Sequence, residues 1–158
     1  MRLTRLASAF LALGAVVALG AAAAETTPSA GVGPSAVVTV YKSPSCGCCS
    51  KWVDYLRASG FEVKTVDLDD LTEIKAASGV PRQLQTCHTA VVGGYVVEGH
   101  VPADVLRKLL EEKPNVAGIA VPGMPVGSPG MEVPGMPAQP YEVIAWDKTG
   151  ATSVYAKK

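Results

Sequence analysis

The sequence predicts an α/β domain that opens strand–helix–strand and continues through a second helix, a β-hairpin and a last helix. Three observations carry this: a β-branched run leads straight into a cysteine-bearing helix, two β-prone runs flank a Gly-Gly pair, and apolar residues recur at helical spacing.

Ala36–Tyr41 (AVVTVY) reads as a buried strand, and Ser43-Pro44-Ser45 turns the chain into Cys46-Gly47-Cys48-Cys49. A helix fits Cys48–Ser59, because Cys49, Trp52, Val53 and Leu56 form one stripe and Gly60 suits its C-terminal cap. Phe61–Leu68 alternates as a second strand. Asp70 can cap a short helix over Leu71–Ser78, ended by Gly79 and Pro81. His88–Val92 and Tyr95–Glu98 around Gly93-Gly94 make a tight hairpin. Pro102-Ala103-Asp104 starts a last helix, Val105–Glu112, with Val105, Leu106, Leu109 and Leu110 as its apolar face. The order β-α-β-α-β-β-α, with a right-handed crossover between the first two strands, is the thioredoxin-like architecture.

After Pro114 the composition changes. Ala117–Pro140 carries three Pro-Gly-Met triplets, ending in Met124, Met131 and Met136, and reads as a 24-residue loop with turn chemistry. Loops of that length in a compact unit are generally functional or disordered. Tyr141–Trp146 and Thr152–Tyr155 then form a closing hairpin around Asp147–Gly150. Residues 36–114 are thus expected to be the thioredoxin-like domain, with 115–158 packed on it.

Residues 1–24 have the layout of a secretory signal peptide: Arg2 and Arg5, an apolar stretch over Leu6–Leu19, then Ala22-Ala23-Ala24. The competing reading is an uncleaved anchor, against which the small-residue site speaks. No cysteine near that site offers a lipoprotein route. Residues 25–35 form a Pro/Gly-bearing linker. Cleavage removes two of 14 basic residues and none of the 14 acidic ones, leaving 12 against 14, or about −2. That balance gives no electrostatic attraction for nucleic acid or anionic membranes. The expected product is a soluble periplasmic protein. In that oxidising compartment paired thiols become disulfides unless a metal or a reductant holds them.

Cys46 and Cys49 have C-x-x-C spacing at a helix start, where free backbone N–H groups favour thiolate. This suits disulfide exchange and metal binding alike. Cys48 favours metal, since a third thiol competes within a redox pair but adds a ligand to a metal site. Cys87 lies just before the third strand, a position that this topology returns to the C-x-x-C motif. Clustered thiolates suit copper(I), zinc or an iron–sulfur centre. Zinc prefers four well-separated tetrahedral ligands, a poor match to a crowded C-x-C-C. Copper(I) tolerates low coordination and bridging thiolates, so more than one ion fits. Met124, Met131 and Met136 are candidate auxiliary soft ligands or, equally, apolar packing. His88 is a candidate ligand or an ordinary strand residue. His100 is expected at the surface, and Trp52 in the core, where it would also shield the site.

Val40–Trp52 (VYKSPSCGCCSKW), Cys87-His88-Thr89-Ala90 and Ala120–Glu132 (AVPGMPVGSPGME) together resemble the CopG-type copper-resistance proteins, a thioredoxin-like periplasmic family. The resemblance spans about Val37 to Tyr155 and implies copper binding within bacterial copper handling, alongside other periplasmic copper-handling proteins. The family's cysteine motif maps onto Cys46, Cys48, Cys49 and Cys87. A looser likeness to glutaredoxins and arsenate reductases lies in Tyr41-x-x-Pro44-x-Cys46 and Gly60–Val63. Two alternatives stand beside copper binding. One is a thiol–disulfide oxidoreductase with Cys46 as nucleophile and Cys49 as resolving thiol. The other is a disulfide-stapled interaction module.

Overall fold

A computed structural model describes residues 36–158; the expected signal peptide and linker lie outside the described residues. The elements are β1 (Val38–Lys42), α1 (Gly47–Ala58), β2 (Val63–Asp67), α2 (Thr72–Ala77), a 3₁₀ turn (Arg82–Leu84), β3 (His88–Val92), β4 (Tyr95–Glu98), α3 (Ala103–Glu112), β5 (Gly118–Ala120), β6 (Glu142–Trp146) and β7 (Thr152–Lys157). One seven-stranded sheet runs in the order β2-β1-β3-β4-β5-β6-β7. β1 pairs parallel with β2 and antiparallel with β3, and β3 and β4 form the expected hairpin, with positive φ at both Gly93 and Gly94. This is the thioredoxin-like arrangement that the element order implies.

Helix α1 buries Cys49, Trp52, Val53 and Leu56, the stripe expected from their spacing. It ends where Gly60 adopts φ +87° and the Phe61 amide bonds back to the Leu56 carbonyl. Asp70 accepts both the amide and the hydroxyl of Thr72, organising the start of α2 from just outside it. Alternation along the strands splits the core in two. Val97, Ile119, Val143 and Ala145 join α1 and α3 in the larger cluster. Val96, Ala120, Ile144 and Trp146 join Val80 and Leu84 in the smaller one, on the opposite face.

The stretch read as an uninterrupted loop contains a strand. Gly118–Ala120 pairs parallel with β4 and antiparallel with β6, so the closing hairpin continues the same sheet. Three wholly buried residues are too few to show alternation in a sequence. Gly118 is needed there, because a Cβ would run into the Val96 carbonyl and the Trp146 indole. Among the described residues no helix is long and apolar enough to cross a membrane.

Candidate metal centre

Strand β1 ends at Lys42, and the turn that follows is closed by the Cys46 amide donating to the Ser43 carbonyl at 3.1 Å. Cys46 thereby becomes the N-cap of α1, with no side-chain cap of its own, and Cys48 and Cys49 fall in the first turn. Cys46 and Cys49 are joined by a disulfide, with Cα atoms 5.4 Å apart. Cys48 and Cys87 are free and half-buried. Cys48 Sγ stands 3.4 Å from Cys46 Sγ, and Cys49 Sγ stands 3.8 Å from the Cys87 carbonyl, within reach of a hydrogen bond once Cys49 is reduced.

Cys87 arrives from the other side of the fold, one residue before β3. All four Sγ atoms lie within 4.8 Å of one another, a set that could hold a metal ion. A second donor set overlaps the first. Cys87 Sγ is 3.3 Å from His88 Nδ1 and 3.3 Å from His100 Nε2.

His100, expected at the surface, is fully buried. Pairing of Thr89 with Glu98 in the β3–β4 hairpin puts the residue before Thr89 and those after Glu98 at the same end. That register is the one signal in the sequence that brings His100 to the Cys87–His88 end of the hairpin. The Pro129 carbonyl, an obligate acceptor, lies 2.8 Å from His100 Nδ1, which fixes the proton there. The neutral ring then aims its Nε2 lone pair at Cys87. Burial pulls the His100 pKa down, opposed by its bond to Pro129 and by Glu132.

His88 is also buried, between Trp52 (ring centroids 4.4 Å) and His100 (5.0 Å). Burial, helped by His100 and Lys75, pushes its pKa down to about 3, so the imidazole is neutral. Its Nε2 has no hydrogen-bond partner among the described residues. Trp52 anchors its indole N–H on the Val101 carbonyl at 2.9 Å and walls off the histidine side of the cluster, as expected of a core residue. The Cys87 thiol is pushed up to about 12, by burial and by the neighbouring Cys48, with Lys75 opposing. Cys87 is therefore a neutral thiol before any metal binds.

The Pro/Gly/Met loop reaches the same place at one point. A Cβ on Gly130 would sit 2.9 Å from both the Cys48 carbonyl and the Trp52 amide, so its backbone lies directly on the first turns of α1. Glu132 accepts the Gly130 amide and braces this contact. Met131 follows Gly130 and is half-buried, whereas Met124 and Met136 are exposed, by 39% and 54%.

A strand–turn–helix that presents Cys-x-x-Cys at the helix start, with a further cysteine ahead of β3, defines a thioredoxin-like protein with a crowded thiol cluster. Family models divide the chain accordingly: glutaredoxin matches residues 38–80 and a protein of unknown function, DUF411, matches residues 84–131. Among solved structures, the copper resistance protein CopG in form 2 is 42% identical, with a TM-score of 0.74, covering 78% of this chain and 98% of that one. Form 1 is 43% identical, with a TM-score of 0.72, covering 77% and 96%. No curated protein matches. The chain belongs to the CopG family of copper resistance proteins.

Proposed function

We propose that this protein binds copper as copper(I) in the periplasm, through Cys46, Cys48, Cys49 and Cys87, as part of copper resistance. The observation that carries the reading is the convergence of four sulfur donors within 4.8 Å, from two separate parts of the chain. Thiolates are soft ligands suited to copper(I), and three of these come from a single helical turn, where bridging two ions is easier than enclosing one tetrahedrally. Reduction of the Cys46–Cys49 disulfide completes the donor set. His88, whose Nδ1 is 3.3 Å from Cys87 Sγ, and Met131, which follows the Gly130 contact with α1, are the candidate auxiliary ligands, while the exposed Met124 and Met136 suit capture of arriving ions.

Anaerobic titration of the reduced protein with copper(I) against a competing chelator tests this. Tight binding that collapses in Cys87→Ser is expected. Weak binding, indifferent to that substitution, sinks the reading.

A second reading rests on the Cys46–Cys49 bond itself. Two thiolates oxidised to that disulfide release two electrons, enough to convert two copper(II) ions to copper(I). Cys48 and Cys87 remain as thiols to receive them. Stoichiometric copper(I) formation from copper(II), abolished in Cys46→Ser, is the expected result. A protein that instead reduces a model disulfide without copper is an ordinary thiol oxidoreductase.

A further inference from the structure

Two buried charges behind Cys87 lie outside the thiol cluster. Lys75 reaches in from α2, and its Nζ donates to Glu98 Oε1 at 2.5 Å and to Thr89 Oγ1 at 3.0 Å. Glu98, fully buried at the end of β4, also accepts the Thr86 backbone N–H on Oε1 at 2.6 Å and the Thr89 hydroxyl on Oε2 at 2.7 Å. Thr86 is the residue before Cys87 and lies outside the strand ladder, so its amide is held by a carboxylate rather than by a neighbouring strand. Glu98 is itself two residues before His100. One side chain therefore ties together the two segments that place donors around Cys87.

A buried ion pair is poor at adding stability, since desolvation offsets much of its attraction. A hydrogen bond from a backbone amide to a buried carboxylate, in contrast, fixes position strongly. We infer that Glu98 is a positioning residue for Cys87: its carboxylate clamps the Thr86 amide, directing the Cys87 sulfur into the cluster, and Lys75 is the counter-charge that allows a carboxylate to be buried there. This rests on the reading of Cys87 as a copper ligand.

Single substitutions would strand one buried charge, so the test uses pairs. Lys75→Met with Glu98→Gln removes both charges and keeps an oxygen for the Thr86 amide. Lys75→Met with Glu98→Leu removes the oxygen as well. Both are compared with wild type by melting temperature and by copper(I) competition on the reduced protein. The glutamine pair should stay within about threefold of wild-type affinity. The leucine pair should weaken by about 10- to 100-fold, the loss usual for an outer partner of a metal ligand. Equal affinities in the two pairs, whether both normal or both weakened, overturn the inference.

If the leucine pair does not fold, Thr86→Pro removes the backbone donor together with the Thr86 hydroxyl, which also reaches Glu98 Oε1 at 3.3 Å. Thr86→Val, which loses the hydroxyl alone and should bind as wild type, is its control; Gln85 already has the extended backbone that a following proline requires. A loss of about tenfold or more in Thr86→Pro then supports the clamp, and unchanged affinity overturns it. Should Cys87→Ser leave wild-type copper binding intact, the ligand reading has failed on its own account. The clamp is then judged on metal-free protein, where Cys87 alkylation should speed up in whichever variant lacks the oxygen or the donor and stay slow in the glutamine pair. A uniform rate overturns it.

Discussion

His100 Nε2 stands 3.3 Å from Cys87 Sγ, while the other nitrogen of the same ring is tied to Pro129 at 2.8 Å. The histidine thus links the thiol cluster to the loop that crosses it. His100→Ala should weaken copper(I) binding by about tenfold or more in chelator competition. It should also lower stability by about 1–3 kcal/mol in urea unfolding, because the cut bond is buried.

Copper loading should release protons. The Cys87 thiol, pushed up to about 12, is protonated at neutral pH, so an incoming ion must displace that proton. Apparent copper(I) affinity should therefore rise with pH between about 6 and 8, by roughly tenfold per unit for each proton displaced. Competition titrations across that range check this, and a flat profile would show that Cys87 is not engaged.

The metal-free protein should be sensitive to acid through His88. Its folded pKa of about 3 lies below the ordinary value of about 6.5, so between these limits the unfolded chain binds a proton that the native state refuses. Stability is then fully present above about 6.5 and declines as the pH falls toward 3. Urea unfolding of wild type and His88→Gln, compared across that window, should show the slope reduced in the variant.

Gly130→Ala should lift the loop from α1. The residue has φ +85°, and the new methyl would press on the Cys48 carbonyl and the Trp52 amide. A loss of about 1–3 kcal/mol is expected, with faster alkylation of Cys48 by a small thiol reagent. Gly135→Ala, equally left-handed but in open space, should show the strain without the change at Cys48.

Local signals made much of this architecture legible. The Cys49–Leu56 stripe gave α1, the Gly-Gly pair gave the β3–β4 hairpin, and the position ahead of β3 put Cys87 beside the C-x-x-C motif. Partnerships set by tertiary pairing were hidden. β5 is defined by its neighbours β4 and β6 rather than by its own three residues, and nothing local links Lys75 to Glu98 across 23 positions. His100 looked like a polar residue ahead of a helix, because the loop that buries it lies 29 residues downstream.

The route of the chain through β5 and β6 has a consequence for adaptation. The loop leaves the sheet after Ala120 and re-enters at Glu142, and Ala120 is paired with Ile144, so its two ends are fastened side by side. Lengthening a segment closed in this way is thermodynamically cheap, about 0.6 kcal/mol per doubling, and shifts no strand register. Evolution can therefore rewrite the methionine-bearing cover while the sulfur floor beneath it stays as it is.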